Sequence, residues 1–216
     1  MEEGSLRMPI TAVIFDLDGT ITQPYFDFDA IREEIGLDRN SGPVLEAMEG
    51  MTEQQRRRTE QILHKHEEKA VDASQLNPGA AQTLSGLRTR GLYIGILTRN
   101  RKRNAEAVAA KHGLQFDAVV GREDGPVKPD AFGVQHLCRH FGVEPSETLL
   151  VGDYLFDLLC ARAAGAIPVW ITSPHHKEDF AHHADFQIDR LSEILQIVDE
   201  KNNAAHNPPE ERKTHA

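Results

Sequence analysis

Residues 12–22 read AVIFDLDGTIT: four apolar residues, then two aspartates one residue apart, then a glycine. A short, continuously apolar run is the pattern of a strand covered on both faces. Carboxylates at the end of such a strand lie near the low-dielectric interior, where an uncompensated charge is costly. The stretch therefore predicts a core strand that runs into a pair of carboxylates, which such a strand does not ordinarily do.

Similar runs recur along the chain. TAVIF (11–15), LYIGIL (92–97), DAVV (117–120), TLLV (148–151) and IPVWI (167–171) are each of strand length. Helix-like segments lie between them: 77–90 opens on Pro-Gly, 101–112 stops at Gly113, 129–141 starts with Pro and stops at Gly142, and 157–164 stops at Gly165. Strand and helix in alternation predict an α/β fold, a doubly wound parallel sheet with right-handed crossovers. In such sheets ligands bind beyond the carboxyl ends of the strands.

One interval breaks the alternation. Residues 25–77 contain only helical pieces, and Thr52 with Gln55 forms a capping-box signature. This interval is read as a small α-helical cap inserted after the first strand and packed by Ile31, Ile35, Val44, Leu45, Met48, Ile62 and Leu63. The core is expected over 9–24 and 78–199. The polar, aperiodic stretch 200–216 is expected to be disordered.

Composition narrows the function. The 216 residues are 39% hydrophobic, enough for one domain with an insert, and carry a formal charge of −10. That charge repels a phosphate backbone, so nucleic acid is not an expected partner. The apolar runs fall far short of the roughly 20 residues that span a bilayer, and no membrane association is expected. The start MEEGSLRMPI lacks the pattern of a secretory signal; the expected location is the cytoplasm. Cys138 and Cys160 lack metal-site spacing and are read as buried thiols.

The residues at the ends of the strands give the aspartate pair its context. Asp16, Asp18, Gly19 and Thr20 come after the first strand, and Thr98, Arg99 and Asn100 after the second. Lys128 precedes a Pro-started helix, and Gly152, Asp153 and Asp157 come after the fourth strand. A parallel sheet brings all of these to one edge. Three carboxylates at one place repel unless a cation neutralises them, and hard oxygen ligands suit Mg2+. Lys128, the Thr98 hydroxyl and the backbone amides after Thr98 would complement a dianionic phosphate. An aspartate held against both can attack phosphorus and form an aspartyl-phosphate.

These segments resemble the four motifs of the haloacid dehalogenase superfamily: DLDGT (16–20), LTRN (97–100), VKPD (127–130) and VGDYLFD (151–157), in order. The chain is similar to the phosphoglycolate phosphatase-like branch with a small helical cap. The resemblance implies that Asp16 is nucleophile and metal ligand. It makes Asp18 the general acid and base, its backbone carbonyl also binding Mg2+. Asp153 then completes the metal site, and Asp157 orients Lys128 or a metal-bound water. Thr98, Arg99, Asn100 and Lys128 are expected to bind the substrate phosphate, with Gly19, Thr20 and Gly152 in support. Asp18 argues against dehalogenase chemistry, whose enzymes lack a second aspartate there.

The implied activity is Mg2+-dependent hydrolysis of a small phosphorylated metabolite. The alternatives are a phosphosugar mutase and an inactive phospholigand-binding module. Arg56, Arg57 and Arg58 read as a solvated helical face, and His175, His176, His182 and His183 as a polar segment rather than a zinc site. Tyr25 and Phe26 either wall the site or brace the cap. The substrate and the oligomeric state are not specified by the sequence.

Overall fold

A computed structural model of the chain describes residues 8–173 and 179–206. The chain divides into two compact units, one running to Gln23 and resuming at Leu76, the other Pro24–Gln75. In the larger unit six parallel strands are ordered β3-β2-β1-β4-β5-β6. They are β1 (Ala12–Phe15), β2 (Tyr93–Leu97), β3 (Ala118–Val120), β4 (Thr148–Gly152), β5 (Ile167–Ile171) and β6 (Phe186–Ile188). All four residues of β1 are buried, because it lies between β2 and β4 and is covered on both faces. Phe15 is level with Ile96 on one side and Val151 on the other. Asp16, Thr98 and Asp153 therefore leave the sheet at nearly the same height, at the point where the strand order reverses.

The crossover helices of this unit are α4 (Ala80–Thr89), α5 (Lys102–His112), α6 (Phe132–Phe141), α7 (Leu155–Ala164) and α8 (Glu193–His206). Gly113, Gly142 and Gly165 close three of them in left-handed conformation, as the sequence pattern predicts. α6 seats closely on the sheet because Gly133 has no Cβ: one added there would lie 2.2 Å from a Leu97 methyl. Cys138 and Cys160 are buried, and burial pushes the Cys160 thiol up to about 12, so it stays protonated at neutral pH.

Two features depart from the sequence reading. β6 has no counterpart among the expected strands: it is a three-residue edge strand, and only Ile188 is fully buried. The second departure corrects the expected disorder of 200–216 over its first residues, since α8 runs on to His206. Ile194, Ile197 and Val198 bury its inner face. One turn further on, the Asn202 side chain accepts from the Ile10 amide at 2.6 Å and donates to the Ile10 carbonyl at 3.1 Å. Residues 207–216 lie outside the described residues.

The smaller unit is helical: α1 (Phe28–Ile35), α2 (Val44–Ala47), a 3-10 turn at Met48–Gly50, and α3 (Glu53–Ala73). Asp27 caps α1 by accepting from the Ala30 amide at 2.9 Å. The Thr52–Gln55 capping box closes the start of α3. Ile31, Val44 and Leu63 form its buried centre, with Phe26, Ile35, Leu45 and Met48 against them; Ile62 is also buried. Phe26 thus braces this unit, while Tyr25 is exposed. Glu34 of α1 bonds Lys65 at 2.7 Å and His66 at 2.8 Å, both on α3. Arg56, Arg57 and Arg58 are all exposed, and Arg57 pairs with Glu53. No helix among the described residues is long and apolar enough to cross a membrane.

The Ile10–Asn202 pair generates a prediction. Asn202→Ala removes two partly buried hydrogen bonds, and denaturant unfolding should show a loss of about 1–2 kcal/mol, with the midpoint shifted and the slope unchanged.

Candidate active site

The carboxyl ends of β1 and β4 deliver three buried aspartates to one place. Carboxylate oxygens of Asp16, Asp153 and Asp157 lie within 4.8 Å of one another. Lys128 comes from the loop ahead of α6, itself 3% exposed, and its ammonium donates to Asp16 Oδ1 at 2.5 Å and to Asp157 Oδ1 at 2.6 Å. Of the two roles open to Asp157, orienting Lys128 is thus the one with a direct contact. Its Oδ2 also accepts from the Tyr154 amide at 3.2 Å, which fixes the carboxylate at the start of α7.

Missing side chains make this crowding possible. A Cβ on Gly19 would lie 2.3 Å from Asp153 Oδ2, and φ there is +95°. A Cβ on Gly152 would lie 2.1 Å from the Asp157 carboxyl carbon. The Thr20 hydroxyl donates to Asp153 Oδ1 at 3.3 Å, and the Trp170 indole holds the Asp153 carbonyl at 3.3 Å. Gly19, Thr20, Gly152 and Trp170 thus act on Asp153 and Asp157, holding them close to Asp16.

Electrostatics follow from the burial. Asp16 is raised well above the ordinary carboxylate value, first by burial; the charges of Asp157, Asp153 and Asp18 add to this, and Lys128 opposes it. Asp157 is raised as well, chiefly by burial. For Lys128, burial favours the neutral amine, but the Asp157 and Asp16 carboxylates outweigh it and hold the ammonium above its ordinary value. One ammonium against three buried carboxylates leaves a deficit of positive charge. An all-oxygen donor set of this kind fits a hard divalent cation such as Mg2+, and Asp16, Asp153 and the Asp18 carbonyl are the expected ligands.

The loop after β2 is more self-contained than expected. The Asn100 amide donates to Thr98 Oγ1 at 3.0 Å, and the Arg101 amide to Asn100 Oδ1 at 2.7 Å. The Lys102 amide donates to both Glu123 oxygens, at 3.1 and 3.2 Å. These amides at the start of α5 have acceptors within the chain. Glu123 is absent from the sequence reading, because nothing local marks it as the cap of a helix that begins 21 residues earlier.

Asn100 Nδ2 reaches Asp18 Oδ2 at 3.4 Å, and Asn104 Nδ2 steadies Asn100 Oδ1 at 2.8 Å. Arg99 donates to the Lys128 carbonyl and lies over the Phe156 ring at 4.7 Å. It joins the Thr98 loop to the Lys128 loop. The His182 and His183 rings lie 5.1 Å apart, tilted by 43°, and belong to no metal-holding group among the described residues. His175 and His176 lie outside the described residues.

Comparisons with known proteins place the chain in a family and a fold. A sequence model of the haloacid dehalogenase-like hydrolase family matches residues 10–165. A haloacid dehalogenase-like hydrolase domain-containing protein of Arabidopsis thaliana is 28% identical over 206 residues, covering 88% of this chain and 84% of its own length. A phosphoglycolate phosphatase of Synechococcus elongatus is 29% identical over 204 residues, covering 87% and 96%. Among solved structures, a hydrolase from Pseudomonas syringae has the same fold, with a TM-score of 0.74 at 23% identity over 88% of this chain and 98% of that one.

The charge deficit sets the sign of a pH effect. Asp16 and Asp157 have raised folded-state values, so without metal the folded chain holds protons more tightly than the unfolded chain. Its stability therefore falls as pH rises from the ordinary carboxylate range through those raised values. A dication removes this penalty once the groups are ionised. Mg2+ at ~100 times its dissociation constant should stabilise by about 2.7 kcal/mol near neutrality. Thermal melts should show that gain shrinking as pH falls toward 5; a shift that is absent, or equal at both pH values, contradicts the assignment.

Proposed function

The chain belongs to the haloacid dehalogenase-like hydrolase family, and from that premise we propose that it is a Mg2+-dependent phosphatase hydrolysing a small phosphomonoester through an aspartyl-phosphate on Asp16. The observation that carries this reading is the buried meeting of Asp16, Asp153 and Asp157 with the Lys128 ammonium. The phosphatase name of the Synechococcus relative supports the same class.

Bound at this carboxylate cluster, Mg2+ would supply the missing positive charge and polarise a phosphoryl oxygen. The remaining chemistry belongs to the chain. Lys128 and Asp157 fix one oxygen of Asp16, so the carboxylate is aimed before substrate arrives. Asp16 attacks phosphorus and an acyl-phosphate bond forms as the ester P–O bond breaks. Asp18 gives its proton to the departing alkoxide. In the second half Asp18 takes a proton from water, and that oxygen attacks phosphorus. The acyl-phosphate bond breaks, inorganic phosphate leaves and Asp16 is regenerated with Asp18 protonated. Asn100 near Asp18 Oδ2 orients the proton carrier. The Thr98 hydroxyl and Lys128 face the phosphoryl oxygens.

Two substitutions separate the roles. Asp16→Asn keeps the shape but removes the attacking charge, and hydrolysis of a chromogenic phosphate ester should fall at least ~10³-fold. Asp18→Asn should leave the first transfer measurable with a good leaving group while blocking release, so a burst is expected without steady turnover. Steady hydrolysis by Asp16→Asn at the wild-type rate contradicts the proposal.

A further inference from the structure

The turn that carries Asp18 is held by a residue with no assigned role. Asn77 Nδ2 lies 3.0 Å from the Gly19 carbonyl, 2.7 Å from that of Thr20 and 3.2 Å from that of Thr22. The Asn77 backbone amide donates to the remaining carbonyl of the series, Ile21, at 2.9 Å. One residue thus receives four successive carbonyls, 58 to 55 positions away in the chain for those bonded to its side chain. All side-chain partners are acceptors, which fixes the amide nitrogen as the atom facing the turn. Its two hydrogens serve three oxygens, so at least one of these bonds is shared.

The bonds inside the turn close it without anchoring it. Gly19 N donates to Thr22 O, and Thr22 N and Oγ1 both donate to Leu17 O. The anchoring comes from residue 76 onward: Thr22 pairs antiparallel with Leu76, Gln23 Nε2 donates to the Leu76 carbonyl at 3.3 Å, and Asn77 takes the rest. Gly19 and Thr20 are also the residues that press on Asp153. Whatever fixes their carbonyls fixes Asp18 and Asp153 together.

We propose that Asn77 is a positioning residue for the reaction, clamping the 19–22 carbonyls so that Asp18 and Asp153 keep their places relative to Asp16. The kinetic consequence rests on the phosphatase reading and the metal consequence on its Mg2+ site; the exchange consequence rests on neither.

The test uses the full chain with Asn77→Asp, which keeps the shape but removes both donors, and Asn77→Ala, which removes them without adding charge. Hydrogen exchange on the metal-free proteins is read at 17–22, with α4 as the internal reference for an intact fold. Mg2+ affinity is read by calorimetry. Both variants should exchange at least ~10-fold faster at 17–22 while α4 stays protected, and should bind Mg2+ ~10–100-fold more weakly, the usual cost of losing an outer partner of a metal site. On an ester that the wild type hydrolyses, kcat should fall by a similar factor with KM within about twofold. Exchange at 17–22 and Mg2+ affinity both within twofold of wild type would overturn the proposal, as would an effect confined to Asn77→Asp, which would report its added charge. A wild type inactive on every ester would overturn the phosphatase reading, while exchange at 17–22 would still decide the role of Asn77.

Discussion

Everything at this site depends on one buried ammonium shared between two carboxylates. Lys128 bonds Asp16 and Asp157 deep in the protein, where removing either partner of an ion pair typically costs 3–5 kcal/mol. Neither carboxylate could be buried there without it, and Asp153 brings a third buried negative charge to the same place. The arrangement is therefore poised for a cation that the folded chain does not itself supply. Burial raises Asp16 and Asp157 above the ordinary carboxylate value, so holding them ionised here costs stability.

Topology explains how the chain brings these groups together. β1 and β4 are neighbours in register, so Asp16 and Asp153 emerge side by side even though most of the sequence separates them. Crowding at that height is tolerated because Gly19 and Gly152 have no side chains to obstruct it. Gly19 thus does more than permit a turn. It leaves the space in which the Asp153 carboxylate sits.

The groups that recur at strand ends were legible in the sequence because each announces itself locally: an apolar run, then a polar residue where the run stops. Asp16 and Asp153 could be brought together from that pattern and the parallel-sheet rule, and β1 to β5 were recognisable as runs; Lys128 follows no apolar run and was picked out by its place in the series of motifs. Features without a local signal were not. β6 has one buried residue in three, too little for a period to show. Glu123 caps α5 and Asn77 clamps the turn through bonds that span distant parts of the chain. An asparagine before Pro-Gly reads as the opening of a helix. Arg99 reads as a phosphate ligand beside Thr98, yet its guanidinium is engaged by the Lys128 carbonyl and Phe156, partners that only the folded chain identifies.

In the proposed mechanism Asp16 must become covalently phosphorylated. Acid-quenching the enzyme during turnover of a phosphate ester, then sequencing its peptides by mass spectrometry, reads this directly. A phosphoryl group on the peptide containing residues 12–22, lost on treatment with hydroxylamine as acyl-phosphates are and localised to Asp16, is the result expected. Turnover with no adduct at any quench time, or with the phosphoryl group on another residue, would contradict it.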